Sequence, residues 1–159
     1  LADQYHVQTA YSGEEGLELL STDIDVVLLD RRMPVVSGNE VLAQIEEQGL
    51  RCRVAMVTAI DPDFDIIEMR VDDYLVKPVT RDELQEVVDR LYSIREYNDR
   101  LRTLTSKKLK RNVLRVEKTD RELQDSERYQ KLQDEIETIS SNVESLADEL
   151  DVEEGDLQL

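Results

Sequence analysis

The sequence predicts an α/β domain built on a parallel sheet and followed by an all-α helical tail. Three observations predict it. Short apolar runs at Val26–Leu29, Arg53–Thr58 and Asp73–Val76 are separated by stretches with helical spacing, the alternation that builds parallel sheets. The runs end on or are followed by Asp30, Thr58 and Lys77, polar groups that would gather in the crevice at the carboxyl ends of parallel strands. From Val79 to Glu154 there is no Pro or Gly, so nothing punctuates a helical tail.

In chain order, His6–Ala10 alternates weakly and reads as a strand, with the lone His6 an edge or surface residue. Ser12-Gly-Glu-Glu15 has the spacing of a capping box and opens a helix through Leu17, Leu19 and Leu20. Val26-Val-Leu-Leu29 is apolar throughout and half β-branched, as expected of a strand buried on both faces. Pro34 and Gly38 mark an irregular loop after Asp30. On this motif alone, Asp30 is equally a turn cap or a site carboxylate. Asn39–Gln48 is an amphipathic helix with Val41, Leu42 and Ile45 inward, stopped by Gly49.

After Thr58, the acidic loop Asp61–Asp65 leads into a short helix around Ile66–Met69. The alternating Asp61, Asp63 and Asp65 resemble the opening of an EF-hand. There is no Gly at the sixth position and no Glu at the twelfth, where Asp72 stands, so calcium is rejected. Asp72-Asp73 reads as a solvated turn rather than a metal pair. Thr80-Arg-Asp-Glu83 is a second capping box, and Leu84, Val87, Val88 and Leu91 form the inner stripe of its helix.

The composition shifts at Asn98. Residues 98–118 hold eight basic residues against two acidic ones, whereas 119–159 hold 14 acidic against three basic. Arg100, Lys107, Lys108, Arg111, Arg115 and Lys118 fall on one side of a helix, with Leu109, Val113, Val116 and Leu123 on the other. The basic stripe reads either as a phosphate-backbone contact on nucleic acid or as a face paired with the acidic helix that follows, and the second is favoured. Asp125-Ser126 marks a break. Tyr129, Leu132, Ile136, Ile139, Val143, Leu146 and Leu150 then recur at spacings of three and four, a seam suited to dimerising or to folding back on Leu109, Val113 and Val116.

An Asp, a Thr and a Lys at three parallel strand ends suit reversible phosphorylation. The carboxylate can attack a phosphoryl group while the ammonium and hydroxyl hold its oxygens. The ordered set Asp30-x-x-Met-Pro-x-x-x-Gly38, Thr58-Ala and Tyr74-x-x-Lys-Pro strongly resembles the receiver domain of two-component response regulators. The wording Leu-Leu-Asp-Arg-Arg-Met-Pro, with the helical tail, looks like the haloarchaeal HalX-type regulators. The resemblance implies a doubly wound, flavodoxin-like parallel sheet, with Asp30 the phosphoacceptor, Thr58 the switch hydroxyl and Lys77 the family's lysine. It also implies a cis Lys77–Pro78 bond and Tyr74 as the aromatic that swings inward with Thr58. Mg²⁺ would be bound by Asp30, the backbone carbonyl of Arg32 and an acidic pair that ends the family's first strand.

That first strand and acidic pair have no match before His6, so the chain is expected to be a fragment, with the missing strand lying between His6–Ala10 and Val26–Asp30. The fold expected is therefore a receiver-like sheet lacking its first strand over 1–97, a HalX-like helical output over 98–154, and a tail at 155–159. The interval from Thr58 to Lys77 is about one turn short for a receiver, so its fourth helix should be stunted.

Composition narrows the partners. The net charge is −17, with 37 acidic against 20 basic residues, and Arg outnumbers Lys 14 to 6. Such an acidic, Lys-poor surface suits a salt-rich interior, where dense carboxylates stay hydrated and their repulsion is screened. The single Cys52 excludes an internal disulfide. No apolar run approaches the roughly 18 residues of a membrane span. The expected protein is a cytoplasmic response regulator served by a histidine kinase, not an enzyme, with a homodimer through receiver or tail left open. The alternative is a DNA-binding transcription regulator acting through the basic helix 100–118. A phosphohydrolase of the haloacid-dehalogenase type needs a second Asp two residues after the nucleophile, where Arg32 stands.

Overall fold

The computed structural model describes residues 3–150. The chain divides into two compact units, Leu1–Arg95 and Glu96–Leu159.

In the first unit, three parallel strands lie in the order β1 (Val26–Leu29), β2 (Arg53–Thr58), β3 (Asp73–Val76). Val26 pairs with Arg53, Leu29 with Met56, and Thr58 with Val76. β2 is central and covered on both sides, which is why it is apolar without alternation. Val54 and Met56 pack with Leu29, Val41, Leu42 and Ile45, so α2 (Gly38–Glu47) covers one face. Ala55 meets Val87 and Leu91 on the other, carried by the first part of a long helix, α3 (Arg81–Glu117). Helix α1 (Gly13–Leu19) starts at Ser12, whose hydroxyl accepts from the Glu15 amide. The Glu15 carboxylate accepts instead from the Tyr11 amide, so the expected box is only half formed. Gly49 takes a positive φ of 64° where α2 ends. The interval after Thr58 holds a 3₁₀ turn, Phe64–Glu68, in place of a full helix.

Two expectations for this unit need correction. The strand at His6–Ala10 does not form. A strand exists only through its ladder, and no described strand lies beside this segment to supply one; β1 pairs with β2 alone. The turn at Asp72–Asp73 is not simply solvated. Asp72 accepts from the Val54 amide at 2.9 Å and pairs with Arg53 at 3.2 Å, and Asp73 pairs with Arg90 at 2.8 Å. Local charge density suggests water, but the fold brings a cation to each carboxylate, Arg53 from β2 and Arg90 from α3.

The second unit is helical: the rest of α3, then α4 (Asp120–Gln124) and α5 (Glu127–Glu149). Ser126 caps α5 through the Tyr129 amide, at the expected break. A break at Lys118–Thr119 was not expected, although Thr119 and Glu122 form a complete capping box there. The hairpin seam is also corrected. Tyr97 and Leu104 bury against Ile136, Val143 and Ala147, with Leu101, Leu132, Ile139 and Leu146 alongside. Leu109, Val113 and Val116, the intramolecular one of the two partners expected for that seam, are 60%, 61% and 82% exposed. The larger Tyr97/Leu101/Leu104 row lies roughly a third of a turn away around α3, and it wins the partner. Residues 151–154 of the predicted helical segment and the tail at 155–159 lie outside the described residues.

Candidate functional site

The three strand ends converge. Asp30 directly follows β1, Thr58 closes β2, and Lys77 follows β3, its amide bonded to the Thr58 carbonyl at 2.8 Å. The Lys77 ammonium lies 2.9 Å from Asp30 Oδ2, and the Arg32 amide donates to Oδ1 at 3.2 Å. The Thr58 hydroxyl faces the same carboxylate and accepts from the Ile60 amide at 3.4 Å. Thr58 is 1% exposed, whereas the Asp30 and Lys77 side chains reach solvent at 35% and 47%. The site is thus a fixed hydroxyl floor under an accessible ion pair.

Burial pushes the Asp30 carboxyl up. Hydrogen bonds from Lys77, Thr58 and the Arg32 amide, with the Lys77 charge, outweigh it and hold the group below the ordinary aspartate range. Asp30 is therefore an anion at neutral pH, the form a nucleophile requires.

The loop after β1 is held tightly. A Cβ at Gly38 would lie 2.3 Å from the Asp30 carbonyl oxygen, and the Gly38 amide bonds the Arg31 carbonyl at 3.0 Å. Val35 takes a φ of 67° and sits between Pro34 and Val36, which bond across it at 2.8 Å, a strained γ-type turn for a β-branched residue. Tyr74 donates its phenol to the Ile60 carbonyl at 2.8 Å, which ties it to the segment just after Thr58. Lys77–Pro78 is cis.

One participant was not foreseen. Arg31 pairs with Asp65 of the 3₁₀ turn and also faces Tyr74, and both contacts raise its affinity for its proton. It links the loop of Asp30 to the loop of Thr58. No local signal pairs residues 34 positions apart. The acidic loop is otherwise structural, since Asp63 accepts from the Phe64 amide at 2.7 Å.

The described residues do not compose a magnesium site by themselves. No group of three or more His, Cys, Asp or Glu residues comes together among them. Asp30 meets Lys77 and the Arg32 amide rather than a second carboxylate, and Mg²⁺ takes about six oxygen ligands.

A sheet of parallel strands with its polar residues gathered at the carboxyl ends defines an open α/β domain of the receiver type. Residues 2–89 match the response regulator receiver domain, and the chain belongs to that family. Residues 93–158 match the HalX domain. A protein of Haloferax volcanii with a provisional transcriptional-regulator name is 57% identical over 89 residues, 56% of this chain and 15% of that protein. The transcriptional regulatory protein DltR of Streptococcus agalactiae is 36% identical over 121 residues, 73% of this chain and 49% of DltR. The chain therefore spans at most about half of these relatives. Among solved structures, a CheY-like receiver domain protein from Methanospirillum hungatei superposes with a TM-score of 0.52 at 29% identity, covering 60% of this chain and 81% of that one. A signal receiver domain from Vibrio parahaemolyticus, at TM-score 0.57 and 22% identity over 62% of this chain and 78% of that one, shares the fold. The Haloferax and Streptococcus relatives both carry transcriptional-regulator names. No described helix is long and apolar enough to cross a membrane.

Proposed function

We propose that the protein is a cytoplasmic response regulator in which Asp30 accepts a phosphoryl group from a phosphohistidine of its kinase, and residues 1–97 thereby switch a helical output at 98–154. The observation that carries this reading is the Lys77–Asp30 contact of 2.9 Å beside the buried Thr58 hydroxyl. An Asp30 carboxylate oxygen attacks phosphorus, the phosphorus–nitrogen bond breaks, and the imidazole leaves with the bonding pair and takes up a proton. An acyl phosphate remains on Asp30. The Lys77 ammonium moves its pairing from the carboxylate to a phosphoryl oxygen, and the Thr58 hydroxyl turns to another. Thr58 accepts from Ile60, whose carbonyl holds Tyr74, so a shift of Thr58 loosens the Tyr74 tether and lets the ring move. Mg²⁺ would meet Asp30 and the Arg32 carbonyl and would offset phosphoryl charge, and its remaining ligands are not among the described residues.

In the intact protein, Asp30→Asn should abolish labelling by a small-molecule phosphodonor. Lys77→Ala should keep labelling but lose the accompanying change in Tyr74 environment, read by fluorescence or NMR. Labelling of Asp30→Asn at the wild-type level would end this reading. DNA binding through 100–118 draws support from the names of the transcriptional relatives, but two of its cations turn toward α5: Lys107 pairs with Glu135 at 2.7 Å and Arg115 bonds the Tyr129 hydroxyl at 3.1 Å.

A further inference from the structure

We propose that the face of α3 carrying Leu109, Val113 and Val116 is a docking surface for an acidic amphipathic helix of a partner protein. The three residues are spaced by four and three, so they form one straight stripe about two turns long. All three are more than half exposed, and α5 packs on a different side of the helix. An exposed apolar row rimmed by polar residues is the surface pattern of an interaction site.

The surroundings select the occupant. Arg102 continues the stripe toward the amino terminus, and Lys108 and Lys110 flank it on either side at about 100°. The side chains of these three make no ion pair or hydrogen bond among the described residues. Lys107 and Arg115, by contrast, are engaged with α5. The helix thus offers an apolar ridge between unpaired cations, the complement of a helix with an apolar seam and glutamates beside it. A second copy docking through the same face would set two segments of net +6 side by side, a repulsive arrangement. A nucleic-acid backbone would use the cations but leave the aliphatic ridge uncovered. Only an acidic helix satisfies both halves of the pattern.

The proposal stands on residues of the second unit and does not depend on phosphoryl transfer. It is tested on the intact protein with a synthetic peptide of about three heptads, Leu and Ile at its seam and Glu at the flanking positions. A peptide with Lys in place of Glu, a random-sequence DNA duplex, and analytical ultracentrifugation of the protein alone complete the set. The Glu peptide should bind and the Lys peptide should not. Val113→Asp, at an exposed position, should leave helix content unchanged by circular dichroism while weakening the Glu peptide at least about tenfold. The double change Lys108→Glu with Lys110→Glu should reverse the preference between the two peptides. Equal binding of both peptides, or of neither, overturns the proposal. So does DNA binding that Val113→Asp leaves intact, or self-association that Val113→Asp abolishes in the absence of peptide.

Discussion

At Gly38 a single methyl group decides where Asp30 stands. An added Cβ would meet the Asp30 carbonyl oxygen at 2.3 Å and Arg31 Cα at 2.8 Å, both backbone atoms that cannot swing aside. Gly38→Ala must therefore push the end of β1 away from α2. Overpacking of this kind costs about 1–3 kcal/mol, so the receiver unit should melt several degrees lower, and Asp30 labelling should fall with it. Unchanged melting and labelling would show that the loop is looser than this contact implies. Asp30, Thr58 and Lys77 could be read from the sequence because each polar residue stands at the end of an apolar run. Arg31 could not: its partner Asp65 comes near only once the sheet has formed, and nothing in either residue's neighbours announces it. The partners of the exposed Asp72, Arg53 and the Val54 amide, are illegible for the same reason, since they lie on the adjacent strand.

Among the elements, helix starts were the most legible. Thr80 and Glu83 form the box expected of them, because a cap is a local contact between residues three apart. The box at Thr119-Asp-Arg-Glu122 has the same signature, masked by the long run without Pro or Gly around it. The phase of α3 was harder. Two apolar rows lie on this helix, Tyr97/Leu101/Leu104 and Leu109/Val113/Val116, and periodicity alone does not say which one α5 takes. The structure gives α5 to the first row. Ile136 is 5% exposed in that seam, so Ile136→Ala should destabilise the helical unit by about 2–5 kcal/mol. Val116→Ala, at an exposed position, should change it by less than about 0.5 kcal/mol. Comparable losses at both positions in thermal melts followed at 222 nm would return α5 to the second row.

For the whole molecule, a strand reading that rests on weak alternation is the least secure, as His6–Ala10 shows. Strands are stabilised by neighbours distant in sequence, whereas β2 was plain because both its faces are buried. The charge of −17 also acts at this scale. Crowded carboxylates repel one another and salt screens them within about 3 Å at molar strength. The melting temperature should therefore rise as potassium chloride goes from low to molar concentration, and a fall would contradict the reading of this surface. The proposed chemistry turns on one atom pair, Lys77 Nζ beside Asp30 Oδ2. Its most direct test is to treat the intact protein with a phosphodonor, reduce the acyl phosphate with borohydride, and locate the modified residue by tandem mass spectrometry. A single modified position, Asp30, is expected. Modification at any other carboxylate with Asp30 untouched would contradict it.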